Sequence, residues 1–309
     1  MDAIGIDLGG TNLRAGIVGI DGSVSEHRTV SSATDDSAEL IRRILALVND
    51  LQQYPRGQSG RPLAVGIGAA GMITRFGTVV HAPNLPVLRQ VALGSVLTSE
   101  LGYHVQVEND ATAAAWGEFR FGALQGADNA LMVTLGTGIG GGIIIGGNLV
   151  RGAHGFAAEI GHFQTHATAS PEQVPPARCA CGSLGHWEAY GSGTALGALV
   201  ADRLGRQYSA AEITDGFHND EPAIVGCVED YSAMVAIGIA GLINILDPET
   251  VAISGGVIDL GPRFVDMLTQ YVRDQVEAPE SRSTLGLVAA TLGSRAGLVG
   301  AAELARSGS

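Results

Sequence analysis

Short apolar runs alternate with helix-spaced apolar stripes along almost the whole chain. Ala3 to Leu8 and Leu13 to Ile20 are apolar runs, and Asp21-Gly22 is a turn signal before 23–30, so the opening predicts two or three antiparallel strands. From Ser37 to Leu51 the spacing changes. Leu40, Ile41, Ile44, Leu45, Leu47 and Val48 share one face of an amphipathic helix. Leu63 to Ala69 and His104 to Val107 predict buried strands, the second delivering Glu108-Asn-Asp110 to a strand end before a helix over Ala111 to Phe121.

The pattern then restarts. Ala130 to Leu135 predicts a strand, followed by the turn Gly136-Thr-Gly-Ile-Gly-Gly-Gly142 and another apolar run. Helices are expected at Gly193 to Leu204, Ala233 to Leu246, Phe264 to Val276 and Ser294 to Leu304, with a strand at Val251 to Ile253 ending in Ser254-Gly-Gly256. Strands alternating with helices predict an α/β fold. The second glycine-threonine turn echoes the first, at Gly9 to Thr11, and predicts an internal duplication.

Composition narrows the chemistry. The 309 residues suffice for one large domain or two smaller ones. A net charge of −13 disfavours nucleic acid and anionic membranes as partners. No apolar run is long enough to predict a membrane span, and no secretory leader is expected at the N-terminus. All 18 basic residues are arginine. Without lysine there is no Walker A loop, no protein-kinase strand lysine and no Schiff-base chemistry. Phosphate must be met by backbone N–H groups, helix N-termini, a metal ion or arginine.

Four segments carry candidate chemistry, each with a plainer reading beside it. Asp7-Leu-Gly-Gly-Thr11 places a carboxylate before a glycine turn whose amides can make an anion nest, with Asp7 holding Mg2+ through water; it also reads as an ordinary hairpin. Leu135 to Gly142 is a second phosphate cradle or a glycine-rich bulge. Asp110 is a general base or a helix N-cap. His162, Cys179, Cys181 and His186 form a four-ligand N/S set that describes a structural zinc site or, failing that, two histidines and two reduced thiols. Glu159 and Glu188 flank these ligands and are placed to recognise a substrate. The C-x-C pair also fits a reducing cytoplasm better than a disulfide framework. Cys227 and Trp187 read as core residues.

These motifs, in this order and over essentially the whole chain, resemble the ROK family of bacterial sugar kinases and related repressors. The run from Trp187 to Leu196 is most similar to its glucokinases. The resemblance implies an actin/hexokinase-like (ribonuclease H-like) duplicated fold, with two lobes and a central cleft. It implies a small lobe over 1–110, with a C-terminal helix over 294–309 packing back on it, and a large lobe over 111–293 with the zinc loop. It implies ATP-dependent phosphorylation of the 6-hydroxyl of D-glucose. Asp110 would take the hydroxyl proton. Asn109, Glu159, His162 and Glu188 would hold the other hydroxyls, with Asn84 and the backbone of Gly71 beside them. Gly9, Gly10, Thr11 and Asn12, with Thr137, Gly138 and Gly140, would cradle the ATP phosphates near Mg2+ at Asp7. Gly193, Thr194, Gly255 and Gly256 would line the adenosine pocket. The family's rivals are N-acetylmannosamine, N-acetylglucosamine and fructose kinases, and a non-catalytic sugar sensor. Repressors carry a DNA-binding segment before the Asp-x-Gly-Gly-Thr motif; with that motif starting at Asp7, no such segment is expected here. The resemblance also implies a cytoplasmic homodimer. One departure is visible: the family usually has a third cysteine where this chain has His186, which would make the site Cys2His2.

Overall fold

Helix α1 (Ser37–Leu51) shows how the sequence pattern becomes structure. Asp36 caps it by accepting from the Ala38 amide at 2.9 Å, and Leu40, Ile44, Leu47, Val48 and Leu51 are its buried face. Ile41 and Leu45 lie at the edge of that face and are only partly buried. The computed structural model describes residues 1–54, 62–165, 176–282 and 285–307. Before α1 come β1 (Ala3–Leu8), β2 (Asn12–Val18) and β3 (Val24–Ser31). After it come β4 (Ala64–Ala69), the short pair β5 (Met72–Ile73) and β6 (Val79–His81), α2 (Leu93–Leu101), β7 (Val105–Asn109) and α3 (Asp110–Phe121). The remaining elements are β8 (Ala130–Leu135), β9 (Ile139–Ile145), β10 (Asn148–Leu149), α4 (Glu188–Gly191), α5 (Gly193–Leu204), α6 (Ala210–His218), α7 (Pro222–Leu246), β11 (Thr250–Ser254), α8 (Pro262–Arg273), β12 (Gly286–Ala289) and α9 (Ala296–Ser307).

The two five-stranded sheets have orders β3-β2-β1-β4-β7 and β10-β9-β8-β11-β12. Written by sequence rank, both are 3-2-1-4-5, so the topology is duplicated. In the first sheet β1 is antiparallel to β2 and parallel to β4, and β4 is parallel to β7. The carboxyl ends of β1, β4 and β7 therefore lie along one sheet edge, where open α/β sheets place ligands. In the second sheet β8, β11 and β12 run parallel.

Packing divides the chain into two units. One holds Met1–Gly126, Gly142–Ala158 and Thr291–Ser309; the other holds Ala127–Gly141 and Glu159–Ala290. The boundary at 141/142 falls inside β9. Helix α3 and residues 142–158, expected with the second lobe, belong with the first unit. The reason lies partly in α9, which packs on α3, β1 and β4. At Gly66 a Cβ would overlap the Ala301 carbonyl, and at Gly300 it would overlap that of Ala113. Only glycine lets the backbones approach this closely.

In the second unit α7 is longer than the 233–246 helix expected. Pro222 opens it, as a first-turn proline can. It is long and apolar enough to cross a membrane by length and composition. Much of it is instead interior: Tyr231, Val235, Ile239 and Ile243 are buried, and Gly238 gives room to the indole of Trp187. An apolar helix of this kind fits a core as well as a bilayer. Helices α2 and α6 and strand β12 were not apparent from periodicity. α6 did carry a legible start, the capping box of Ser209 and Glu212. Of the proline-rich stretch 168–178, residues 168–175 lie outside those described.

Candidate functional site

In the first unit the predicted residues converge on the common strand edge. Asp7 is near the end of β1, Gly71 follows β4, and Asn109 and Asp110 join β7 to α3. The turn after β1 is closed by the Gly9 amide donating to Asn12 O at 3.0 Å, and Ser32 braces it by donating from Oγ to Gly9 O at 2.6 Å. Gly10 lies against the backbone of Asn84, whose carbonyl oxygen would be 2.7 Å from an added Cβ. The amides of Gly10 and Thr11 have no hydrogen-bond partner among the described residues, which leaves two adjacent donors open to a ligand.

The two readings of Asp110 separate here. The cap of α3 is Asn109, whose side chain accepts from the Thr112 amide at 2.9 Å. Its amide group donates to Gly71 O at 3.0 Å and to Asp110 Oδ1 at 3.1 Å. Asp110 is thus held by its neighbour; it is the first residue of α3 rather than its N-cap, and its Oδ1 also accepts the Ala111 amide at 2.9 Å. Burial pushes its carboxyl above the ordinary range, opposed by hydrogen bonds from Ala111 and Asn109. Asp7 is pushed up to about 6, mainly by burial and then by the charge of Asp110, with Arg14 acting the other way from 3.7 Å. A carboxyl raised by burial and by a neighbouring carboxylate suits a site that receives a cation or a proton.

In the second unit the glycine turn between β8 and β9 is fastened on several sides. Gly136 N donates to Gly138 O at 3.0 Å and Gly140 N to Thr134 Oγ1 at 3.0 Å. Gly193 N donates to Gly136 O at 2.7 Å, and Thr194 Oγ1 donates to Thr137 O at 2.7 Å. The start of α5, capped by Ser192, therefore sits on the turn. Gly255, at φ 91°, backs onto Leu135 with no room for a side chain. The amides of Thr137 and Gly138 have no partner among the described residues, repeating the pair at Gly10 and Thr11. The Ile139 amide donates to Glu188 Oε2 at 2.9 Å.

The same unit brings the four predicted metal ligands together. The ligand atoms of His162, Cys179, Cys181 and His186 lie within 4.8 Å of one another. Cys179 Sγ is 3.7 Å from His162 Nδ1, and Cys181 Sγ is 3.3 Å from His186 Nδ1. A tetrahedral zinc with ordinary bond lengths sets N···S near ~3.5 Å and S···S near ~3.8 Å, so the donor set and spacing fit the ion. Burial pushes the bare Cys179 thiol up to about 12, and it donates to Glu188 Oε1 at 3.2 Å. A metal-bound thiolate has no proton to donate, so that bond belongs to the metal-free protein. With Nδ1 facing the cluster, His162 turns Nε2 toward Glu159 Oε2 at 3.8 Å. Trp187 is fully buried and donates to Met234 O at 3.2 Å, anchoring the loop to α7.

A model of the ROK family matches residues 3–307. The chain belongs to the ROK family. It is 37% identical over 325 residues to a glucokinase of Streptomyces coelicolor, a match covering 98% of this chain and 97% of that protein. It is 33% identical over 322 residues to a glucokinase of Thermotoga maritima, covering 97% and 96%. The crystal structure of a ROK family glucokinase from Streptomyces griseus in complex with glucose and AMPPNP is similar at a TM-score of 0.82 and 35% identity, covering 99% of this chain and 100% of that one. The α/β, actin/hexokinase-like fold expected from the motifs is thus the fold of this ROK protein.

One pair in this ROK chain was missed at the sequence level. Glu108 is buried beside Asn109, accepting from the Asn109 amide at 3.1 Å and from Arg151 Nε at 2.6 Å. It braces the backbone that carries Asn109 and Asp110. A carboxylate directly after the buried Val107 of β7 was the available signal; its partner, 43 residues later, had none.

Proposed function

We propose that this protein is an ATP-dependent glucokinase, transferring the γ-phosphoryl group of ATP to the 6-hydroxyl of D-glucose. One observation carries the reading: similarity over nearly the whole chain to a glucokinase crystallised with glucose and AMPPNP. Asp110 is assigned as the general base that takes the hydroxyl proton, and burial, by raising its carboxyl above the ordinary range, favours it as a proton acceptor. Asn109, Glu159, His162 and Glu188 are assigned to the other hydroxyls, with Asn84 and Gly71 O supporting. Polar groups that pair with a sugar's hydroxyls discriminate strongly, because a sugar lacking the matching hydroxyl leaves them unpaired. The free amides at Gly10 and Thr11 and at Thr137 and Gly138 are assigned to the ATP phosphates, with Gly9, Asn12 and Gly140 shaping the two turns. Gly193, Thr194, Gly255 and Gly256 are assigned to adenosine. Asp7 would hold Mg2+, which neutralises developing charge on the phosphates.

Zinc is assigned to His162, Cys179, Cys181 and His186, where it would be structural and keep the Nε2 edge of His162 directed at the sugar. The protein is further proposed to be a cytoplasmic homodimer.

A coupled assay of ADP release tests the substrate. The expected result is a kcat/KM for glucose above those for mannose, fructose, N-acetylglucosamine and N-acetylmannosamine. A higher value for either acetylated sugar would move the assignment to an acetylhexosamine kinase. No turnover with any sugar would favour a sensor.

A further inference from the structure

Glu188 stands where two parts of the second unit meet. It starts α4 beside the cysteine loop and is assigned above to the sugar. Its side chain also belongs to the glycine turn. Oε2 accepts the Ile139 amide at 2.9 Å, and the carboxylate lies directly over Gly138. A Cβ on Gly138 would overlap Oε2 and come within 3.0 Å of the carboxyl carbon. Ile139 N–H is the next donor after the unpaired amides of Thr137 and Gly138. A bond to a carboxylate at that point settles the peptide orientation of the turn and so the direction of the two free N–H groups.

We propose that Glu188 is a positioning residue for the nucleotide-phosphate turn as well as a sugar ligand, so that the Glu188–Ile139 bond couples sugar binding to nucleotide binding. The inference rests on the kinase reading above and adds a link between its two ligands. Coupling of this kind is reciprocal. Damage on the sugar side must reach the nucleotide, and damage in the turn must reach the sugar. Gly138 needs a glycine for the second reason: the atom in its way is the end of a flexible side chain, so Gly138→Ala should fold while displacing the carboxylate.

The test measures Kd by titration calorimetry for Mg·AMPPNP without sugar, and for glucose without nucleotide. Losing a hydrogen bond to a charged group is expected to weaken Mg·AMPPNP binding by ~10-fold or more in Glu188→Ala. Glu188→Gln keeps an oxygen able to accept from Ile139 and should hold that affinity within ~3-fold while binding glucose less well. Gly138→Ala should weaken glucose by ~10-fold although the residue lies in the phosphate turn. Unchanged nucleotide affinity in Glu188→Ala, or unchanged glucose affinity in Gly138→Ala, overturns the proposal. If Glu188→Ala does not give a cooperative thermal melt, Gly138→Ala decides alone. Wild-type protein that binds neither ligand would instead overturn the kinase reading and, with it, the coupling.

Discussion

Asn109 and Asp110 are adjacent in sequence and differ in task. Asn109 supplies the cap of α3, so its loss should be felt in stability, by about 1 kcal/mol for Asn109→Ala. Asp110 is not the N-cap, and burial raises its carboxyl, so its ionised form is disfavoured in the fold. Asp110→Asn should therefore melt at or above the wild-type temperature while kcat falls at least ~10²-fold. Near-normal turnover in a folded Asp110→Asn protein would remove it as the base. Asp7 makes a separate prediction. Its carboxyl titrates at about 6 in the metal-free fold against an ordinary 3.8. A raised acid holds its proton more tightly in the folded than in the unfolded chain. This group's contribution to stability is thus greatest below about pH 4, falls as pH rises through 4 to 6, and is level above. Asp7→Asn should flatten that slope and be more stable at pH 7 by up to about 3 kcal/mol, read from urea unfolding in chelator. A slope that persists in the variant would place the titration elsewhere.

Among the elements, α9 is set by what it lacks. Its Gly300 lets the α3 backbone at Ala113 touch it, and Gly66 of β4 lets the strand touch its Ala301. Gly300→Ala should destabilise by at least ~1–3 kcal/mol, since overpacking moves main chain. Gly197 of α5 is a helical glycine with open space around it, and Gly197→Ala should stabilise by ~0.5–1 kcal/mol. Urea midpoints that move the same way in both variants would contradict this packing. The cysteine loop is the opposite kind of element, short and polar, and the metal would supply the order that a small core cannot. Removing zinc should lower the melting temperature and raise the KM for glucose. His186→Cys should keep about one zinc per chain by elemental analysis, and His186→Ala should lose it. Full zinc in His186→Ala would take the histidine out of the site.

At the scale of the molecule, one topology is used twice, and each copy presents a turn with two amides that have no partner among the described residues. The chemistry differs between the copies because the neighbours differ: Asp7 and Asp110 in the first unit, the cysteine loop and α5 in the second. Ligands that bind only the folded protein stabilise it in proportion to the logarithm of their concentration. Glucose at 100-fold its Kd should add about 2.7 kcal/mol and raise the melting temperature by several degrees. Fructose and N-acetylmannosamine should add little. An equal shift with all three sugars would mean that the site does not read the hydroxyl pattern.

Alternating strand and helix periods, two glycine-threonine turns and a C-x-C loop between histidines were legible in the chain, because local periodicity and turn chemistry depend on neighbouring residues. The α/β class, the duplication, the extent of α1 and the grouping of the four candidate metal ligands follow from them. Tertiary structure decided what distant residues share. It made Asn109 the cap, brought Arg151 to Glu108, set Gly10 against Asn84, and sent α9 back to β1 and β4. It also placed Glu188 on a glycine turn 49 residues earlier. No periodicity encodes such pairs, since each depends on where the chain returns after a long excursion, and that is settled by burial and by which backbones can approach.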